Sequence, residues 1–132
     1  MILRRIFINL KIFNHCLIIL YFYKFKNFSD CIELIKYKRN MVKVKLNPIY
    51  VSKKINLFSY LLNQQNCFFR SMCLYTLLNF DEEVEFRIGI KKDDKNKFSS
   101  HSWIEFEGEP VNENKLVRDY KSIFSLKKNE WN

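Results

Sequence analysis

The sequence predicts an α+β fold, on three observations. Residues 67–79 are apolar on nearly every side, the mark of a helix buried all round. Residues 83–90, EVEFRIGI, alternate strictly: Val84, Phe86, Ile88 and Ile90 on one face, Glu83, Glu85 and Arg87 on the other. That is the period of a half-buried strand. Residues 100–106, SHSWIEF, alternate again before a turn at Gly108. The expected order is basic N-terminal helices, one buried cysteine-bearing helix, then an antiparallel meander.

Element by element, residues 3–39 read as two helices broken near 27–30, with Ser29 or Asp30 as N-cap for CIELIKYK. MVKVKL (41–46) alternates apolar and basic and reads as a brief strand or an extended linker. Asn47-Pro48 ends it, because the residue before proline avoids the helical region. A helical pattern resumes over 55–64. Asn66 is a good N-cap, which places Cys67 in the first turn of the buried helix. KKDDKNKFS (91–99) is a charged loop, 110–114 a third short strand, and 116–126 a short helix or an extended cover. Two regions follow: a basic, apolar helical region over 1–55 and a core over 56–132.

At 132 residues the chain has the length of one domain, and 48% hydrophobic and 17% aromatic content excludes disorder as its description. The net charge of +9 is uneven: residues 1–60 carry 12 Lys and Arg against 2 acids, residues 61–132 carry 11 against 12. The basicity therefore belongs to the first half, and chemistry in the second half need not involve a polyanion. No nucleic-acid-binding motif of a known class appears, so nucleic acid is not an expected partner. Cys16, Cys31, Cys67 and Cys73 form no CxxC pair, so no zinc site is expected. No cofactor is called for either.

CLIILYFY (16–23) is an apolar run of eight, flanked by Asn14, His15, Lys24 and Lys26, without a small-residue cleavage site. It is a poor signal peptide and short of the roughly 20 residues a bilayer span needs. It reads as a core helix, or as a helix leaning on the inner membrane face with Arg4, Arg5 and Lys11 at the headgroups. A cytoplasmic setting with reduced thiols is expected.

The chemistry centres on Cys67. A thiol is a useful nucleophile when ionised, and the N-terminal turn of a helix offers unpaired N–H groups and a positive dipole end. The same groups can hold an oxyanion. A nearby imidazole would complete the activation and protonate a leaving amine. Of the two histidines, His15 lies in the apolar N-terminal helix. His101 lies on a strand, on one face with Trp103 and Glu105, and can be aimed at a helix packed on the sheet. A third group depends on the turn. A two-residue loop, Glu107-Gly108, would set His101 opposite Asn114. A three-residue loop, Phe106-Glu107-Gly108, sets it opposite Glu113. Glu107 suits the first position of a two-residue turn poorly, so the longer loop and Glu113 are expected, with Asn112 and Asn114 as rivals.

NCFFRSMCLYTLL, FRIGIKKD and FSSHSWIEFEGEPVNE together resemble the lasso peptide maturation protease, the transglutaminase-like B protein of lasso peptide biosynthesis. The matching positions are Cys67, Arg70, Ser71, the strand around Ile88-Gly89-Ile90, His101, Trp103, Glu105, Gly108 and Glu113, over roughly residues 60–126. Three positions depart from the family pattern. Glu113 stands where it usually has aspartate, NFDEE replaces a glycine before the first strand, and a tryptophan before the cysteine is absent. The resemblance implies a transglutaminase- or papain-like cysteine peptidase core. It implies a catalytic Cys67, His101 and Glu113, and removal of the leader from a ribosomally made precursor peptide. It also implies partners: a small leader-recognition protein, an ATP-using cyclase and a transporter. A different acyl transfer at the same Cys-His pair, or a non-catalytic basic scaffold, are the alternatives. Arg70 and Ser71 are expected to be structural, Arg70 pairing with Glu105 or Glu85.

Overall fold

The computed structural model describes residues 1–37, 45–78, 83–113 and 115–127. Four helices, α1 (Ile2–Phe25), α2 (Phe28–Tyr37), α3 (Pro48–Leu61) and α4 (Cys67–Leu78), precede a four-stranded antiparallel sheet. Its strands are β1 (Val84–Lys92), β2 (Phe98–Phe106), β3 (Glu109–Pro110) and β4 (Lys121–Lys127), with a short 3-10 turn at Lys115–Asp119. The chain is α+β, as its patterning predicts.

The N-terminal break falls one residue earlier than expected. Asn27, not Ser29 or Asp30, caps α2, its Oδ1 accepting from the Asp30 N–H at 2.8 Å. Asn47-Pro48 does not merely end a segment: Asn47 caps α3 and Pro48 occupies its first turn, where a missing N–H costs nothing. The helix expected from residue 55 therefore begins at Pro48. Asn63 (φ 53) closes it in the left-handed region. MVKVKL lies, except for Lys45 and Leu46, outside the described residues.

Helix α4 occupies the centre. Nine of its twelve residues are buried, including Phe69, Met72, Tyr75 and Leu78. Helix α4 packs on β1 and β2 on one side and on α1, α2 and α3 on the other. Helix α1 offers it a stripe at helical spacing, Ile12, His15, Cys16 and Ile19. His15 Nε2 and the Thr76 hydroxyl share a hydrogen bond at 2.6 Å, and the hydroxyl also lies 2.8 Å from the Met72 carbonyl. The CLIILYFY run belongs to a helix of 24 residues, long and apolar enough by length and composition to cross a membrane. Its opposite face leaves Leu3, Ile6, Phe7, Leu10 and Tyr21 exposed.

The sheet order is β3-β2-β1-β4. The segment expected as a short helix or extended cover holds both, the 3-10 turn at Lys115–Asp119 and then β4, antiparallel to β1 with Phe86 opposite Leu126 and Ile88 opposite Phe124. Its apolar side chains alternate with Ser125 and Lys127, so it completes the core-facing surface of the sheet. The sheet is thus not a simple meander, since β4 returns to the far edge of β1.

Candidate active site

Asn66 and the start of α4 fix the nucleophile. The Asn66 side chain accepts from the Phe68 N–H at 2.8 Å and the Phe69 N–H at 3.3 Å, and its carbonyl accepts from Arg70 at 3.1 Å. Of the first-turn amides, only that of Cys67 is not taken up by Asn66. It stands at the positive end of the helix, beside the sulfur, and is the donor available to an oxyanion.

Strand β2 supplies the imidazole. His101 pairs with Gly89 of β1, and the absence of a side chain at Gly89 makes room for the aromatic wall behind the histidine. A Cβ there would meet the Trp103 ring and the Tyr120 Cβ at 2.9 Å. Trp103 stacks on His101 (centroids 6.0 Å apart, 13° between planes), and Tyr120 leans on it at 5.5 Å. Trp103 is held in turn by Glu105, which accepts its Nε1–H at 3.1 Å and pairs with Arg87 at 3.1 Å. The expected pairing of Arg70 with Glu85 or Glu105 does not form. Those carboxylates are taken by Arg87, and Arg70 reaches Asn56 Oδ1 at 3.4 Å.

The expected turn is overturned, while the contact it was meant to produce is present. Phe106 pairs with Glu109 and Glu105 with Pro110, so the loop is the two-residue Glu107-Gly108. Both residues take positive φ, 53° and 80°, the backbone of a tight primed hairpin. Glu107 accepts an unfavourable left-handed conformation while its N–H bonds the Glu83 carbonyl at 3.0 Å. That register, continued, would place Asn114 opposite His101. It is not continued: β3 is only two residues long, and Asn112 (φ 53) turns the chain. The turn delivers Glu113 Oε2 to His101 Nε2 at 3.3 Å. Asn112 points elsewhere, donating to Ser52 Oγ at 3.2 Å. Asn114 lies outside the described residues.

Cys67, His101 and Glu113 therefore converge. Glu113 occupies Nε2, which leaves Nδ1 for the sulfur. A hydrogen bond with His101 is the largest cause that brings the Cys67 thiol down to about 7. Burial opposes it, and the backbone and side chain of Ser102 add to the lowering. The imidazole is pushed up to about 10, first by Cys67 and then by Glu113, against the cost of burial. Between those values the pair is a thiolate and an imidazolium. Cys67, Arg70, Asn56, Ser52, Asn112 and Glu113 border a cleft of about 70 Å³. The groups missed from sequence are Tyr120 and Ser102. An aromatic distant in sequence gave no signal, whereas the small polar Ser102 between His101 and Trp103, on the core-facing side of β2, did.

A nucleophilic thiol at a helix start, an imidazole on the adjoining strand and a carboxylate behind it define a domain equipped for acyl transfer through a cysteine. The chain belongs to the Transglutaminase-like superfamily, whose family model matches residues 51–125, more than half of it. The match runs from α3 to β4 and takes in Cys67, His101 and Glu113. No curated protein and no solved structure matches the chain.

Proposed function

We propose that this protein is a cysteine peptidase that removes the leader from a lasso peptide precursor. The observation that carries the catalytic part is the convergence of Cys67, His101 and Glu113, with Nε2 and Oε2 3.3 Å apart and the thiol brought down to about 7. The choice of substrate rests on the motif NCFFRSMCLYTLL…HSWIEFEGEPVNE, which resembles the maturation protease of that pathway.

The chemistry follows from the geometry. The Cys67 thiolate attacks the scissile carbonyl, and the developing oxyanion meets the Cys67 N–H at the start of α4. His101, held as an imidazolium by Glu113, gives its proton to the departing amine, which leaves as the new N-terminus of the core peptide. The neutral imidazole then takes a proton from water as that water attacks the thioester. This releases the leader carboxylate, with its proton passing to solvent, and restores the thiolate-imidazolium pair. A separate cyclase would join the freed amine to a side-chain carboxyl. A small partner protein would present the leader, and a transporter would export the product. The exposed apolar face of α1, with Arg4, Arg5 and Lys11 along the helix, suits the cytoplasmic face of an anionic membrane.

The test is mass spectrometry of a precursor incubated with this chain and its leader-binding partner. Wild type is expected to yield the free leader and core, and Cys67→Ala neither. Release of an amine-linked product in place of a free carboxylate would reassign the site to transglutaminase chemistry. Processing that survives Cys67→Ala would leave a basic scaffold.

A further inference from the structure

Ser102 carries chemistry that its place in the strand does not require. The residue is 3% exposed, and its hydroxyl is fully buried with no hydrogen-bond partner. Buried hydroxyls are ordinarily satisfied, and an alanine would fill this position without an orphaned polar atom. The backbone shows where the residue faces. In a strand, alternate residues send N–H and C=O to the same edge. The Ile104 carbonyl accepts from Val111 N–H at 2.8 Å on the β3 side, so the Ser102 N–H faces that side too. Strand β3 pairs with Glu105 and Phe106, and among the described residues no strand pairs with Ser102 on that side. Helix α4, which begins at Cys67, packs against β2, and the backbone N–H and side chain of Ser102 both act on the Cys67 sulfur to draw its pKa down.

We propose that Ser102 is a further catalytic residue, its N–H and hydroxyl together forming the seat of the Cys67 thiolate. The inference rests on the reading of Cys67 and His101 as the reacting pair. A thiol is a weak acceptor, and the hydroxyl has little to bond while the sulfur is protonated. A thiolate is a strong acceptor, and the hydroxyl rotates to donate to it. When the sulfur is acylated its charge is gone and the hydroxyl is released. The seat therefore favours the attacking form over both the resting thiol and the thioester. That preference eases ionisation without trapping the intermediate.

The test needs no peptide substrate. Alkylation of Cys67 by iodoacetamide is followed against pH by site-resolved mass spectrometry, which separates Cys67 from Cys16, Cys31 and Cys73. Ser102→Ala is expected to raise the midpoint by about one unit, leaving roughly tenfold less thiolate below it, with thermal stability at or above wild type. Ser102→Gly repeats the measurement with the β-carbon also removed. Ile88→Val, a packing change at the residue opposite Ser102, is expected to leave the midpoint in place. An unchanged midpoint in both Ser102 variants, or an equal shift in Ile88→Val, overturns the proposal. A wild-type midpoint near the ordinary thiol value of 9.0 would instead overturn the pairing of Cys67 with His101.

Discussion

Glu113→Gln is the sharpest perturbation of the site. It keeps the size of the side chain and an oxygen that can accept from His101 Nε2, and removes only the charge. Two unit charges at 3.3 Å interact by about 5 kcal/mol at an effective dielectric of 20 and about 1.3 kcal/mol in bulk water. Both side chains are partly solvated, 20% and 26% exposed, and 3.3 Å is long for a charge-assisted contact. These facts place the value toward the lower end, about 1.5–2 kcal/mol. The expected loss in kcat/KM is therefore about 10–30-fold. The same variant should draw the alkaline limb of the pH–rate profile down from about 10 by about one unit. It should not bring the limb to the ordinary imidazole value, since Cys67 is the larger cause of the elevation. The assay is the initial rate of leader release across pH, with binding of the leader partner held saturating. An unaltered rate and alkaline limb, together with a crippled Asn112→Ala, would refute the assignment of Glu113.

The other expectations are as follows. Cys67→Ala and His101→Ala should each abolish processing, read as accumulation of intact precursor, because each removes one half of the ion pair. Wild-type activity should rise with pH through about 7, as Cys67 loses its proton, and fall through about 10, as His101 loses the proton it must donate. Gly89→Ala should lower stability by about 1–3 kcal/mol in chemical denaturation. The added carbon would sit 2.9 Å from the Trp103 ring and from the backbone-anchored Tyr120 Cβ, and the latter cannot rotate away. Asn66→Ala should cost about 1 kcal/mol, since it strips the cap from the Phe68 and Phe69 amides.

Parts of this architecture were legible because they depend on local periodicity. The largely apolar run over 67–78 reads as a helix buried on most sides, and the alternation in EVEFRIGI and SHSWIEF reads as strands. Asn66 announced the helix start, and so placed Cys67 in its first turn. The segments read less well are those whose conformation is settled by a partner. Residues 121–127 became β4 because β1 had an open edge and Phe124 and Leu126 could cover the core, neither visible within the segment itself. The start of α3 at Pro48 was hidden because Asn47-Pro48 can end one segment and cap the next with equal ease. The hairpin was misread because Glu107 is a poor left-handed residue, and the fold nonetheless holds it there.

The sequence by itself marked the candidate reacting groups: one thiol at a helix start, one imidazole on a strand, and a short acidic and amide-rich stretch from which a third group would come. Those are properties of residue type and of repeats only a few residues long. The sequence favours Glu113 over Asn112 and Asn114 through a three-residue loop, but the tertiary structure brings it to the histidine by another route, a two-residue hairpin followed by a positive-φ turn at Asn112. The tertiary structure also decided that Ser102 faces the sulfur and that Trp103 and Tyr120 enclose the ring. These contacts join segments tens of residues apart, and their geometry is set by how helix and sheet pack.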